Sequence, residues 1–197
     1  MDSNIDIFKI ETNHVAPEKG SILIAEPFMS DIYFKRSIIL LTEHNDKETV
    51  GFVLNKPVNM QISDLINDFP EFDADISIGG PVSTNTIHYI HTLGNLIPNS
   101  HKVYGNICWG GDFETVKQLI RENRIHKGQI KFFLGYSGWM PNQLDEELMQ
   151  NSWLVSALDP NTVMNGPSKD DIWKEALLNL GEKYKMWINS PDNPSLN

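Results

Sequence analysis

The chain has 197 residues, of which 40% are hydrophobic and 21% charged, so it can bury a core and does not have the composition of a disordered protein. Sixteen Lys and Arg residues against 26 Asp and Glu residues give a formal net charge of −10, which argues against a surface built to bind nucleic acid. The single cysteine, Cys108, excludes an internal disulfide and a metal site with several cysteine ligands.

The sequence predicts one cytoplasmic domain. No apolar run approaches the roughly 18–20 residues that a membrane-spanning helix needs. The acidic first residues have neither the basic start nor the apolar stretch of a signal peptide. Since no linker or internal repeat divides the chain, we expect a single domain over residues 1–190 and a loose C-terminal tail over residues 191–197.

The first half of the chain has the pattern of β-structure. Short apolar runs at residues 21–25, 37–41 and 50–54 are rich in branched residues and are bounded by polar or Gly/Pro segments. Runs of this length favour buried strands. The polar link at residues 43–49 is short enough for a hairpin between the second and third strands.

Further strands are predicted in the middle of the chain, at residues 76–78, 86–91 and 129–134. Glycine-containing turns are expected at residues 79–82 and 135–138. Strands therefore cluster early, and helices are interspersed later without a regular βαβα order. This distribution predicts an α+β fold with a mainly antiparallel sheet.

Helices are predicted from apolar spacing and capping residues. The first ends at Pro70, the second starts after Asp112 as N-cap, and the third begins near Pro141. The last helix starts with a capping-box-like Ser168 and ends at Gly181, which we expect in the left-handed C′ conformation. The apolar face of the first helix consists of Ile62, Leu65, Ile66 and Phe69.

Ser137 lies in the segment Gly135-Tyr-Ser-Gly-Trp139, at the predicted turn after a strand. A nucleophile elbow needs glycine two residues before and two residues after the serine, but Trp139 occupies the second position. The last histidine is His126, so the elbow's order of serine, acid and histidine also fails. A tight turn that packs Tyr136 and Trp139 is favoured, although a triad in another chain order stays open.

Cys108 lies between the apolar residues Ile107 and Trp109. A reactive cysteine needs a histidine, a cation or a helix N-terminus to stabilise its thiolate. The helix predicted after Asp112 offers an N-terminus, but Asp112 and Glu114 add negative charge there. A buried structural thiol is favoured, and a hydrolase or transferase that uses Ser137 or Cys108 is the alternative.

Metal and phosphate motifs are weak or missing in the sequence. His88 and His91 are three residues apart, which places them on opposite faces of the predicted strand. Asp73 and Asp75 share a strand face but have no third ligand in view, and no glycine-rich phosphate-binding motif occurs. We therefore expect neither a metal nor a cofactor.

One basic stripe follows the predicted second helix, and it comprises Lys117, Arg121, Arg124, Lys127 and Lys131. Glu114 and Glu122 dilute its charge. A solvated helix face is favoured, and a weak nucleic-acid surface over Lys117–Lys131 is a further alternative.

Several glycine-containing segments follow one another along the chain. They are Gly20-Ser-Ile-Leu-Ile-Ala-Glu-Pro27, Phe34-Lys-Arg-Ser37, Gly51-Phe-Val-Leu-Asn-Lys-Pro57, Gly79-Gly-Pro-Val82 and Gly135-Tyr-Ser-Gly-Trp139, followed by Gln143-Leu144 and Glu147. Together they resemble the AlgH/YqgE family of bacterial proteins, which has no established activity. The resemblance covers residues 19–181, and the two ends of the chain resemble forms from Bacteroidetes.

The resemblance implies a bent, open-barrel-like antiparallel sheet packed with several helices, in a cytoplasmic bacterial protein. The family's association with transcriptional regulation rests on one branch and does not imply DNA binding. This chain departs from the family pattern at Asn142, where glycine is usual. Asn tolerates the left-handed backbone better than other non-glycine residues, so the turn is expected to survive.

The predicted function is a non-enzymatic binding or regulatory protein with an unknown protein or small-molecule partner. Turns that follow three predicted strands combine glycine with polar or aromatic residues, which lets a ligand approach closely. The alternative is that these turns only brace the bent sheet. The predicted site consists of Asn55, Pro57, Gly79, Gly80, Pro81, Tyr136, Ser137, Gly138, Trp139, Gln143 and Glu147.

Overall fold

A computed structural model of the chain describes residues 12–166 and 170–190. The predicted capping residue Ser168 and the predicted tail at residues 191–197 lie outside these ranges. The strands are β1 (Ile22–Ala25), β2 (Ile38–His44), β3 (Thr49–Val53), β4 (Ile76–Ile78), β5 (Val82–His91), β6 (His101–Tyr104), β7 (Ile107–Trp109), β8 (Ile130–Trp139) and β9 (Trp153–Ser156). The helices are α1 (Ile62–Leu65), α2 (Phe113–Arg121), α3 (Gln143–Met149), α4 (Pro160–Asn165), α5 (Asp170–Leu180) and α6 (Lys185–Ile188).

The strands form one sheet with the order β6-β7-β5-β8-β3-β2-β1-β9, and β4 pairs with β8 beside this path. Neighbouring strands along the path are antiparallel, whereas β4 runs parallel to β8. The predicted α+β fold with a mainly antiparallel sheet is confirmed. Within the described residues, no helix is long and apolar enough to cross a bilayer.

Strand β8 is longer than predicted, because the turn expected at residues 135–138 is wrong. The strand continues through this segment to Trp139 and pairs first with β5 and then with β3. Gly135 has φ of +65°, a backbone conformation that favours glycine. At this kink the side-chain alternation shifts, so that Phe133 and Tyr136 both face the largest core cluster.

The two ends of the sheet approach each other, which confirms that the sheet is bent. Tyr104 of edge strand β6 packs so closely on Gly20, just before β1, that a Cβ at Gly20 would lie 2.8 Å from the Tyr104 Cβ. The Tyr104 hydroxyl donates a hydrogen bond to the Leu158 carbonyl beyond β9 (3.0 Å). At the opposite edge, the Asn13 side chain donates to the carbonyl of Val155 in β9 and accepts from its N–H.

The concave face of the curled sheet surrounds the largest core cluster, with Phe52 and Phe133 fully buried in it. Helix α5 closes one end, and the Trp173 indole donates a hydrogen bond to the Ala25 carbonyl (2.9 Å). Gly181 follows α5 with φ of +119° and ψ of 171°, an extended glycine conformation instead of the predicted left-handed helical one.

Three other helix predictions can be compared with the structure. Asp112 is the N-cap of α2, as predicted, and its Oδ1 accepts from the Thr115 N–H (2.7 Å). Asn142 precedes α3 with φ of +67°, so the left-handed turn survives without glycine. By contrast, α1 ends at Leu65, well before Pro70.

Candidate functional site

Gly79 connects three segments of the sheet. Its carbonyl accepts hydrogen bonds from the Val53 N–H (2.9 Å) and from the Ser137 hydroxyl (3.0 Å), and its own N–H donates to the Leu134 carbonyl (2.8 Å). The segment after β4 is thereby fastened to both β3 and β8.

The glycines at this junction are required by space. A Cβ at Gly79 would lie 2.3 Å from the Gly135 carbonyl oxygen, and a Cβ at Gly80 would lie 2.4 Å from the Ser137 Oγ. Real Cβ atoms do not approach other atoms this closely. Gly79, Gly80 and Ser137 are therefore tightly packed against one another at this junction.

Ser137 is fully buried, and its hydroxyl is engaged with Gly79. We expect Ser137→Ala to lower the free energy of unfolding by about 1 kcal/mol, since one hydrogen bond is lost while the Gly79 carbonyl keeps its other donor. Urea unfolding measures this change. The wild-type chain should also not react with a fluorophosphonate probe, and labelling of Ser137 by the probe would instead support the hydrolase alternative.

Glu147 in α3 is the centre of a second group of predicted site residues. Its Oε2 accepts hydrogen bonds from the indole N–H groups of Trp139 (2.9 Å) and Trp153 (2.7 Å), and its Oε1 accepts from the Gln143 amide (3.0 Å). Both indoles are buried, and the Phe34 ring contacts each of them. Glu147 thus clamps α3 onto β8 and β9.

The remaining predicted residues are divided between the interior and the surface. The Asn55 side chain is 3% exposed; it accepts from the Ile38 N–H (2.9 Å) and donates to the Arg36 carbonyl (2.8 Å). Pro57, Pro81 and Gly138 are exposed, and Tyr136 is half-buried. The buried members cannot offer their side chains to a partner, so a binding role is left to the exposed and half-buried ones.

Tyr136 belongs to a set of rings at the margin of the largest core cluster, against which Tyr136 and Trp109 pack while partly exposed. Its ring meets His88 of β5 edge-on, with centroids 5.5 Å apart, and His88 in turn lies 5.4 Å from Phe52. Trp109 of β7 is 6.1 Å from Phe52 and 5.8 Å from the exposed His101 of β6. Phe52 is the buried floor beneath them.

These side chains share one end of the sheet because of the strand period. His88 lies two residues from the buried Ile90, and Trp109 lies two residues from the buried Ile107. Residues two apart in a strand point to the same face, so His88 and Trp109 extend the buried faces of β5 and β7. Because these two strands are antiparallel neighbours, both side chains lie at the same end of the sheet. We name this set the aromatic mouth, and it comprises Tyr136, His88, Trp109 and His101, with Phe52 as floor and Glu43 at the rim.

The polar groups of the aromatic mouth are mostly uncharged. Burial lowers the pKa of His88, so its imidazole is neutral at pH 7. A hydrogen bond from Lys19 (3.1 Å) is the main cause that lowers the pKa of the Glu43 carboxyl, and His101 adds to the effect. Among the described residues, the Tyr136 hydroxyl and the Trp109 indole N–H have no hydrogen-bond partner.

Comparison with known proteins identifies the family. The AlgH-like family model matches residues 22–185. The chain belongs to the AlgH-like family. A UPF0301 protein of Bacteroides fragilis is 42% identical over 198 residues and one of Parabacteroides distasonis 43% identical over 199 residues, each match covering 100% of both chains.

Solved structures support the fold of this AlgH-like chain. The solution structure of the AlgH protein from Pseudomonas aeruginosa superimposes with a TM-score of 0.69 at 26% identity, over 88% of this chain and 94% of that one. A crystal structure of a Corynebacterium diphtheriae protein gives a TM-score of 0.71 at 22% identity, over 92% and 95% of the two chains, and shows a shared fold alone.

The other chemical candidates in the AlgH-like chain are also engaged in structural contacts. Cys108 is buried opposite His91 in the β5–β7 pair. The His91 Nδ1 accepts from the Leu93 N–H (3.2 Å), which leaves the proton on Nε2, so His91 cannot act as a base through Nε2. Within the described ranges, no group of three or more His, Cys, Asp or Glu side chains could hold a metal ion.

Most cations of the basic stripe in the AlgH-like chain are paired with carboxylates. Lys117 pairs with Glu114 (2.8 Å), Arg124 with Glu122 (3.1 Å) and Lys127 with Asp73 (2.8 Å). The remaining cations, Arg121 and Lys131, donate to backbone carbonyls. These contacts favour the solvated-face interpretation over a nucleic-acid surface.

Tyr136 is the only residue of the aromatic mouth that is also in the site predicted from the sequence. Predicted alternation does place His88 and His91 on opposite faces, and the structure confirms this, with His88 against Phe52 and His91 against Tyr89. Trp109 and His101 lie in strands that were not predicted, because β7 has only three residues and β6 only four.

Proposed function

We propose that this chain is a non-enzymatic binding protein that takes a small molecule with a planar ring at the aromatic mouth. The observation that carries the proposal is the set of half-buried rings, contributed by adjacent strands, around the buried floor of Phe52. Support also comes from Ser137 and Cys108, the two candidate nucleophiles, which are buried in structural contacts.

The chemistry of the aromatic mouth fits a flat and partly apolar ligand. Aromatic side chains bring large contact area with few rotatable bonds, while a phenol and an indole each supply one polar group. We infer that the Tyr136 hydroxyl and the Trp109 N–H orient the ligand's hydrogen-bonding edge.

Gly138 keeps the Tyr136 ring accessible. It is exposed in β8 and shares a face with Tyr136, and a Cβ at this position would lie 3.2 Å from Tyr136 Cε2. Gly138 pairs with Val50 as an ordinary strand residue, so a larger side chain fits the backbone. Gly138→Val therefore covers the ring, which has to shift by a few tenths of an ångström to make room for the new side chain.

The test is an NMR titration of the labelled full chain with indole and with adenine as probes. We expect amide shifts centred on Tyr136, His88 and Trp109, and affinity lowered about fivefold in Gly138→Val, which corresponds to roughly 1 kcal/mol. Met140→Val, a change at an exposed residue just beyond β8, is the matched control and should bind as the wild type does. Shifts elsewhere, or equal binding by the two variants, would refute this site.

The same proposal includes a cytoplasmic location and a regulatory role through a partner. The location is supported by the lone cysteine, since secreted proteins of this size commonly use disulfides. The net charge of −10 disfavours direct binding to duplex DNA, so an effect on transcription would act through another molecule.

A further inference from the structure

A separate cavity of about 350 Å³ lies between the segment after β3, the strand β4 and the start of β8. This volume lies within the range of small-molecule pockets. The residues that the argument uses are Pro57, Asp73, Asp75, Ser77, Lys131 and Gly166, all of which line the cavity. None of them belongs to the aromatic mouth.

Lys131 brings an amine to this cavity from an otherwise apolar part of β8. Its neighbours Ile130 and Phe132 are buried, and its own side chain is largely covered. The Nζ atom donates a hydrogen bond to the Val163 carbonyl in α4 (3.0 Å). Gly166, directly after α4, lines the same cavity, so the amine end of Lys131 reaches its wall.

The surroundings of Lys131 differ from those of its neighbour Lys127. Burial lowers the pKa of Lys131, and the charge of Asp75 opposes this effect in part. Lys127 is exposed, and its hydrogen bond to the Asp73 carboxylate raises its pKa. The two lysines, four residues apart, form a matched pair that differs in the fraction of neutral amine.

We propose that Lys131 is a covalent capture site for small neutral aldehydes and ketones. A neutral amine is a nucleophile toward carbonyl carbon, and a desolvated lysine is the usual form in proteins that use this chemistry. The Nζ lone pair forms a C–N bond as the C=O π bond opens, and a proton passes from nitrogen to oxygen to give a carbinolamine. Loss of water then gives the imine, so that amine and carbonyl are converted to imine and water without an oxidant.

The charges around the cavity restrict the class of carbonyl compound. Asp73 and Asp75 both line it, and Asp75 acts electrostatically on Lys131. A negatively charged carbonyl compound would be repelled by these two carboxylates. Neutral aldehydes are therefore expected to react faster than 2-oxo acids.

The experiment treats the full chain at pH 7 with propanal and cyanoborohydride, which reduces the imine to a stable alkyl group, and locates the product by peptide mass spectrometry. We expect Lys131 to be labelled on the order of tenfold faster than Lys127. In Lys131→Arg, whose guanidinium can still donate to Val163, the label at position 131 should vanish while labelling of Lys127 stays unchanged.

Two outcomes would overturn the inference. Labelling that follows exposure, with Lys127 ahead of Lys131, would show that Lys131 only fastens α4 to β8. Pyruvate reacting at Lys131 as fast as propanal would contradict the restriction to neutral carbonyl compounds. Neither result would bear on the proposed binding at the aromatic mouth, because the ring probes used there bind without a covalent step.

Discussion

Glu147→Ala is expected to lower the free energy of unfolding by about 3–5 kcal/mol, because each buried N–H left without an acceptor costs about 1–3 kcal/mol. The substitution removes the shared acceptor of the Trp139 and Trp153 indoles and also of the Gln143 amide. Urea unfolding followed by tryptophan fluorescence measures the loss directly, since both indoles report on the clamp.

Two variants control for this prediction. Glu146→Ala removes an exposed carboxylate from the same helix and should change the stability by less than about 0.5 kcal/mol. Glu147→Gln keeps one acceptor oxygen for the indoles and should fall between the two. If Glu147→Ala proved as stable as Glu146→Ala, the clamp would contribute nothing to α3.

Gly79→Ala is expected to cost about 4 kcal/mol or more, or to prevent folding, since overpacking a site that cannot relax is among the most damaging changes. The new Cβ would lie 2.3 Å from the Gly135 oxygen and 3.0 Å from both Phe133 and Phe52. The obstacles are backbone and core atoms, so no side-chain rotation removes them. Thermal unfolding of purified variants, or the soluble yield, measures the effect.

The matched control for this prediction is Gly94→Ala. Gly94 has φ of +53°, but a Cβ there would meet nothing within 4 Å. Its cost is therefore only the strain of a left-handed alanine, about 1–2 kcal/mol. Equal losses for Gly79→Ala and Gly94→Ala would show that the junction of β3, β4 and β8 is not tightly packed.

The sequence predicts the strands best where apolar runs are uniform, and it fails where a glycine has two possible uses. The runs at residues 21–25, 37–41 and 50–54 became β1, β2 and β3 with ends shifted by a few residues. Gly135 indicated a turn, yet its positive φ lets β8 continue across the kink. Local sequence cannot distinguish these uses, because the pairing partners of β8 come from distant parts of the chain.

The first helix has the predicted apolar face but is shorter than predicted. Ile62, Leu65, Ile66 and Phe69 all pack in one core cluster, as their spacing predicts. The helix nevertheless ends at Leu65, and Asp68 has φ of +58°. Ile66 and Phe69 thus pack in the same core cluster as Ile62 and Leu65 although they lie beyond the end of the helix.

Several predicted site residues are neighbours in the structure, but the sequence could not predict which of them are exposed to solvent. Ser137 and Trp139 lie on one face of β8, and each reaches a different group, Gly79 and Glu147. The segment of Gly79 and Gly80 covers Ser137, whereas α3 and Phe34 cover Trp139 on the face opposite the concave core, so the burial of both depends on distant parts of the chain. Tyr136, one residue away on the other face, is the member that stays half-exposed.

The Asn13 side chain at the outer edge of β9 has a consequence for how copies of the chain can meet. A bare edge strand presents N–H and C=O groups that invite another chain to add a strand, a common route to aggregation. The Asn13 amide occupies both groups of Val155, in the manner of a one-residue strand. Asn13→Ala would uncover them, and we would look first for slow, concentration-dependent self-association in the variant.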